Sequence, residues 1–168
     1  MKKTTRANAG RAPISVLMLA LALPALPACD SDLEPPPPFP GAVEGQALLG
    51  VYEGRFPCDG QCQRLKTALA LFQDPAARAP TIYQMREIPV GNDDGIRDSR
   101  GAWTVVRGAP ASPDAPVYVL QPEAAPGSAA AAPVHYLRFD DNLLLLLDQA
   151  LNARVGNASH SFTLSRTR

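Results

Sequence analysis

The chain has 168 residues, with 16 basic and 16 acidic side chains that cancel at neutral pH. That length suits one domain behind any targeting segment. The neutrality is local in origin: Lys2, Lys3, Arg6 and Arg11 fall in the first eleven residues and every acid lies beyond residue 29. Past that point the balance is mildly acidic, which argues against nucleic acid as a partner, since such a partner needs a basic footprint.

In chain order, the basic N-terminus is followed by an apolar run from Ile14 to about Ala28. A charged region followed by an apolar stretch of this length reads as an export signal over residues 1–28. The run falls short of the ~20 apolar residues of a membrane span. It ends in Leu26-Pro27-Ala28-Cys29, which resembles the lipobox of bacterial lipoproteins, where the thiol is acylated and the chain is cut just before it. Cys29 is therefore the expected lipidation site. The bland alternative is ordinary secretion with a free thiol. Two or three acyl chains exceed the single chain that gives only marginal anchoring. The expected location is the bacterial cell envelope, lipid-anchored on the periplasmic side of the inner or outer membrane. Asp30, next to the lipid cysteine, weakly favours inner-membrane retention.

Residues 29–46 read as a tether. Pro35-Pro36-Pro37-Pro38 favours polyproline II, a semi-rigid spacer. The domain then runs over 47–168 as short apolar or β-branched stretches: Ala47–Arg55, Arg64–Phe72, Thr81–Ile88, Ala102–Arg107, Val117–Gln121, Val134–Phe139, Leu143–Leu147 and Ser159–Ser165. Arg64–Phe72 is ambiguous, because Leu65, Leu69 and Phe72 also fit a helix face. Gly, Pro, Asp or Asn bound each stretch, and Asp140-Asp141-Asn142 leaves room only for a tight hairpin. Short strands at near-regular spacing predict an all-β barrel or sandwich. The Ala/Pro-rich segments Gly108–Pro116 and Pro122–Pro133 read as surface insertions, and Arg97, Asp98 and Arg100 as a solvated loop. Trp103 reads as a core or barrel-floor aromatic. Leu143–Leu147 lacks alternation, so both of its faces are expected to be covered.

Beyond Cys29, two cysteines remain, Cys58 and Cys62. They sit in Tyr52-Glu53-Gly54-Arg55-Phe56-Pro57-Cys58-Asp59-Gly60-Gln61-Cys62, followed by Thr67-Ala68-Leu69-Ala70-Leu71 and Asp74. Residues four apart in a turn can meet the geometry of a disulfide, which forms a small clip in an oxidising compartment. The same pair as thiolates selects a soft ion such as copper(I), and redox exchange is a third reading. Other soft donors, Met85, His135 and His160, are distant in sequence. There is no Gly-x-Ser-x-Gly, no phosphate loop, no zinc-protease helix and no outstanding carboxylate pair, so the chain is not expected to be an enzyme.

Those residues carry a resemblance. The Tyr-x-Gly stretch, the Pro-Cys motif, Thr67-x-Leu69-x-Leu71, Asp74, Gly101-Ala102-Trp103 and Leu147-Asp148 resemble the N-terminal domain of the NlpE family of envelope lipoproteins. The likeness spans about Gln46 to Leu164. It implies an eight-stranded, lipocalin-like up-and-down β-barrel, and roles in copper homeostasis or in envelope stress sensing with a periplasmic or sensor protein as partner. The sequence departs from the family in having Cys-x-x-x-Cys rather than Cys-x-x-Cys, in lacking the glycine expected near Leu151-Asn152, and in lacking the second domain of longer members. Two rival readings stand beside it. One is a binding module whose barrel holds a small apolar ligand, the other an anchored interaction domain, each with Cys58 and Cys62 as a structural clip.

Overall fold

The computed structural model describes residues 38–168, apart from 59, 61, 92–94, 125, 130, 158 and 159. The expected signal, Cys29 and Pro35–Pro37 lie outside these. Eight strands follow in order: β1 Ala47–Phe56, β2 Arg64–Gln73, β3 Pro80–Val90, β4 Arg97–Ala109, β5 Ser112–Pro122, β6 Val134–Arg138, β7 Leu143–Leu146 and β8 Thr163–Arg166. Each pairs antiparallel with its neighbours, and β8 returns to β1 to close a barrel. The expected all-β, eight-stranded up-and-down barrel is the fold observed.

Alternation decides what faces inward. On β2, Leu65, Thr67, Leu69 and Leu71 share one face, and they meet Phe56, Gly54 and Tyr52 of β1 across the ladder. Tyr83, Trp103, Tyr118, Leu120, Tyr136, Leu144 and Leu164 supply the matching inward positions and are buried. Glu53, Arg55, Lys66, Arg86, Asp98 and Arg100 take the alternate positions, outside the barrel. A membrane-spanning barrel has the opposite sense, with an apolar band outside and a polar lumen.

The β2 ambiguity has a physical cause. Ala70 and Phe72 face outward yet are buried with Val51, because Phe39 and Val43 pack over them. The end of β2 is thus apolar on both faces, and that blurs its period. The segment before β1 is held by several contacts. The Gly41 amide donates to Gln84 Oε1 at 2.8 Å, Arg168 Nη2 donates to the Phe39 carbonyl at 3.1 Å, and the Arg86 guanidinium lies 5.2 Å from the Phe39 ring centroid. A second outer cluster joins Val117, Leu137 and Leu147, with Leu145 and Leu151 against it. With Leu144 inside the barrel, both faces of β7 are covered, as expected.

Trp103 belongs to the floor of the barrel. It is buried, meets Tyr118 edge-on at 5.0 Å, and donates its indole N–H to the Phe72 carbonyl at 2.7 Å. The β2–β3 register is interrupted between Leu71 and Gln73, so Phe72 falls at a bulge and its carbonyl takes a side-chain donor.

Two loop expectations give way. Arg97, Asp98 and Arg100 belong to β4, in register with Glu87, Arg86 and Gln84. Arg86 grips Asp98 with two nitrogens, each at 2.7 Å, which offsets the low β-propensity of this charged run. Gly108–Pro116 is largely strand, the tip of a β4–β5 hairpin that overhangs the barrel. β6 pairs only with Val117–Leu120, so Pro113 and Pro116 sit where β5 has a free edge, the place where a strand tolerates proline. The Asp140-Asp141-Asn142 hairpin is present, with Asn142 N donating to Asp140 Oδ1 at 2.7 Å.

Candidate functional site

The mouth of the barrel is the end where β1 runs out at Phe56 and β2 begins at Arg64. Cys58 and Cys62 sit there. Their Cα atoms are 5.7 Å apart, within the disulfide range, and the sulfurs are joined. A joined pair offers no thiolate to a metal ion. His160 comes to the same place, lining with Cys58, Arg55 and Arg64 a recess of about 420 Å³. Met85 faces the barrel interior, and His135 lies on the outer side of β6 opposite Val119. The soft donors therefore occupy three separate places. Among the described residues, no group of three His, Cys, Asp or Glu side chains is placed to hold a metal ion.

Inside the mouth is a cavity of about 240 Å³. Phe56, Leu65, Met85, Leu146 and Phe162 form its apolar walls, and Glu87, Tyr136 and Arg154 supply its polar groups. Below it the barrel is filled by Leu69, Leu71, Tyr52, Tyr118 and Trp103. Larger recesses, of about 440 to 530 Å³, flank Phe39 and Val43 on the outer wall. They are grooves between strand side chains. The mouth cavity is smaller but is lined by inward-facing residues of the barrel, Glu87 and Tyr136 among them.

Glu87 is the unexpected member. It follows Tyr83 and Met85 on the inward face of β3, an acid at an apolar position, and lies opposite Thr67 on β2 and Arg97 on β4. Burial pushes its carboxyl above the usual range, and the Arg97 guanidinium draws it part of the way back. The Tyr136 phenol is pushed far up by burial, with Glu87 and Tyr83 adding to the effect. Burial likewise raises Tyr83, against the side chain of Ser99, which approaches the phenol without forming a well-aligned hydrogen bond. The hydroxyls of Tyr83 and Thr67 are buried and have no hydrogen-bond partner. At the rim, the Arg154 guanidinium stacks 4.6 Å from the Phe162 ring centroid, and His160 meets the same ring edge-on.

Several of the motif residues turn out to be architectural. A Cβ on Gly54 would lie 2.3 Å from the Thr163 carbonyl, and one on Gly101 would lie 2.0 Å from the Gln121 carbonyl. Asp74 Oδ1 accepts from Ala76 N and Ala77 N, turning β2 into β3. Asp148 Oδ1 accepts from Ala150 N and Asn152 N in the turn after β7. In that turn Leu151 adopts φ of 63°, a left-handed conformation that suits glycine. Sequence reasoning located the cysteine loop but missed Glu87, Tyr83, Tyr136 and Arg154. The available signal was an acid on the inward face of β3. The chain matches no model of a known protein family, no curated protein and no solved structure.

Proposed function

We propose that the chain is an envelope lipoprotein of the NlpE type. Residues 1–28 direct export, Cys29 carries the lipid, and the barrel works at its mouth in copper homeostasis or envelope stress sensing. It acts by binding or by presenting a surface, without turnover. The observation that carries this reading is the placement of the Cys58–Cys62 loop at the mouth of a closed eight-stranded barrel, the fold the resemblance implies. In this reading the joined pair is the resting clip, and copper(I) is taken only after an external dithiol reductant has opened the bond and itself become a disulfide, because soft-metal binding needs thiolates.

The test is the thiol state of Cys58 and Cys62 in protein isolated from the envelope, by alkylation and mass spectrometry, with and without copper(I), before and after mild treatment with a thiol reductant. Thiols, free as isolated or after reduction, that copper(I) protects support the copper branch. A pair that resists reduction, or whose freed thiols copper(I) leaves open to alkylation, removes copper and leaves the clip beneath a sensing surface. Intact mass of the membrane fraction reads the anchor in the same preparation, and an unacylated Cys29 sinks the lipoprotein reading.

The mouth cavity favours a second reading, a binding module for a small ligand. Barrel mouths are common ligand sites, although about 240 Å³ is below the ~300 Å³ at which drug-sized pockets begin.

A further inference from the structure

We propose that the barrel mouth binds a small primary amine, its ammonium head held by Glu87 beside the buried hydroxyls of Tyr136, Tyr83 and Thr67, its apolar body against Phe56, Leu65 and Phe162. This rests on the binding-module reading, not on the lipid anchor or the cysteines.

Size sets the first limit. A dry cavity of about 150 Å³ takes benzene, so about 240 Å³ admits a body of roughly ten non-hydrogen atoms. A long acyl chain does not fit, because Leu69, Leu71, Tyr118 and Trp103 fill the barrel beneath.

Hydrogen bonding sets the head group. Native interiors seldom leave buried polar atoms unpaired. Here Thr67 Oγ1, on the residue opposite Glu87, and Tyr83 Oη, deeper on the same face of β3 and close enough to act on the Tyr136 phenol, are both orphaned. An ionised carboxylate only accepts, and each hydroxyl has lone pairs to offer. The set lacks a group with several N–H donors and no acceptor. An ammonium has three donors. A carboxylate ligand would meet Glu87 charge to charge, and a neutral alcohol would supply a single donor.

The chain's own Arg154 guanidinium rests on the face of Phe162, which shows that a cation is accommodated on the aromatic wall of the mouth. Arg154 is exposed, so it can swing away without leaving a packed position. The groups facing Glu87 are Thr67 from β2, Arg97 from β4 and Tyr136 from β6. Arg97 is exposed, and its guanidinium opposes part of the effect of burial on the Glu87 carboxyl.

The test uses the full chain in phosphatidylcholine nanodiscs. Binding is read by saturation-transfer NMR with phenethylamine, 2-phenylethanol and 3-phenylpropionate, each corrected against empty discs. Saturable binding of the amine is expected at least tenfold tighter than of the alcohol or the acid. Glu87→Gln is expected to remove that preference and leave alcohol binding unchanged. Tyr83→Phe, which keeps the ring, is expected to weaken the amine several-fold and reports independently should Glu87→Gln misfold. Equal binding of amine and alcohol, indifferent to Glu87→Gln, overturns the head-group assignment and leaves the binding module standing. Preference for the acid, lost in Arg154→Gln, overturns it in favour of an anion site. If none of the three binds, the binding-module reading falls with it.

Discussion

Replacing Trp103 with phenylalanine isolates the hydrogen bond that repairs the β2 bulge. The indole N–H donates to the Phe72 carbonyl at 2.7 Å in a buried setting. Phenylalanine keeps an aromatic ring toward Tyr118 but has no donor. An orphaned buried acceptor costs about 1–3 kcal/mol. The smaller ring also leaves a void of about 40 Å³, which at about 24 cal/mol per Å³ adds about 1 kcal/mol. The expected loss is therefore about 2–4 kcal/mol, a fall of roughly 10 °C in Tm for a barrel of this size. The assay is urea unfolding followed by far-UV circular dichroism, because Trp103 is the sole tryptophan and the variant loses its fluorescence. A loss under 1 kcal/mol with an unchanged m-value would refute the argument, since it would mean that the carbonyl finds another donor or reaches water.

Gly101→Ala should cost about 3 kcal/mol, because its Cβ would meet a β5 backbone carbonyl at 2.0 Å and neither strand can yield cheaply; equilibrium unfolding measures it, and a neutral result would mean that the ladder shifts freely. The Cys58→Ser, Cys62→Ser double variant should lose no more than about 2 kcal/mol, because a bridge between residues four apart closes a very short loop; a larger loss on thermal unfolding would mean that the clip holds the mouth itself. Asp98 is held below its usual value of 3.8 by its hydrogen bonds from Arg86. Its contribution is therefore present above the ordinary carboxylate range and is lost as pH falls below it through the folded value. A wild-type minus Asp98→Asn stability difference that does not shrink as pH is lowered through and below the carboxylate range would contradict this. Glu87 has the opposite sign. Its carboxyl is raised above 4.5 by burial, so its ionisation destabilises the fold above the folded value, and that penalty disappears as pH falls to the unfolded value. Glu87→Gln should then be no less stable than wild type at pH 7, and chemical denaturation at pH 7 and pH 4 checks both halves.

The barrel was legible where short apolar or β-branched stretches lie between turn residues. Ala47–Arg55 and Thr81–Ile88 fall within the strands Ala47–Phe56 and Pro80–Val90, and Asp140-Asp141-Asn142 marks its hairpin. Strand limits were lost where long-range partners decide. Arg97–Arg100 looks like loop until Arg86 and the β3 backbone stand opposite, and Ser112–Pro116 becomes strand only because β4 pairs with it on its one occupied edge. In the site, the cysteine pair was visible because both residues lie in one short loop. Glu87, Tyr83 and Tyr136 were not, because their meeting depends on barrel closure bringing β3 near β6, and no local pattern encodes that. Gly54 and Gly101, two of the residues that carried the family resemblance, are explained by strand-to-strand clearance. That part of the pattern therefore speaks for the barrel more than for any activity.

The stretch from Phe39 to Val43, laid along the outer wall, also determines how the molecule bears a mechanical load. Without it, tension from upstream would reach β1 at its first residue and peel its hydrogen bonds open one at a time. Held by Gln84, Arg86 and Arg168, the stretch runs from beside Arg86, past Gln84, to the start of β1. A pull from upstream is then taken first as shear, shared among the Gly41 amide, the Phe39 ring and the Phe39 carbonyl. The same Arg168 that grips Phe39 has its own carbonyl bound by Val51 N, so the load passes into both strands of the closing seam together.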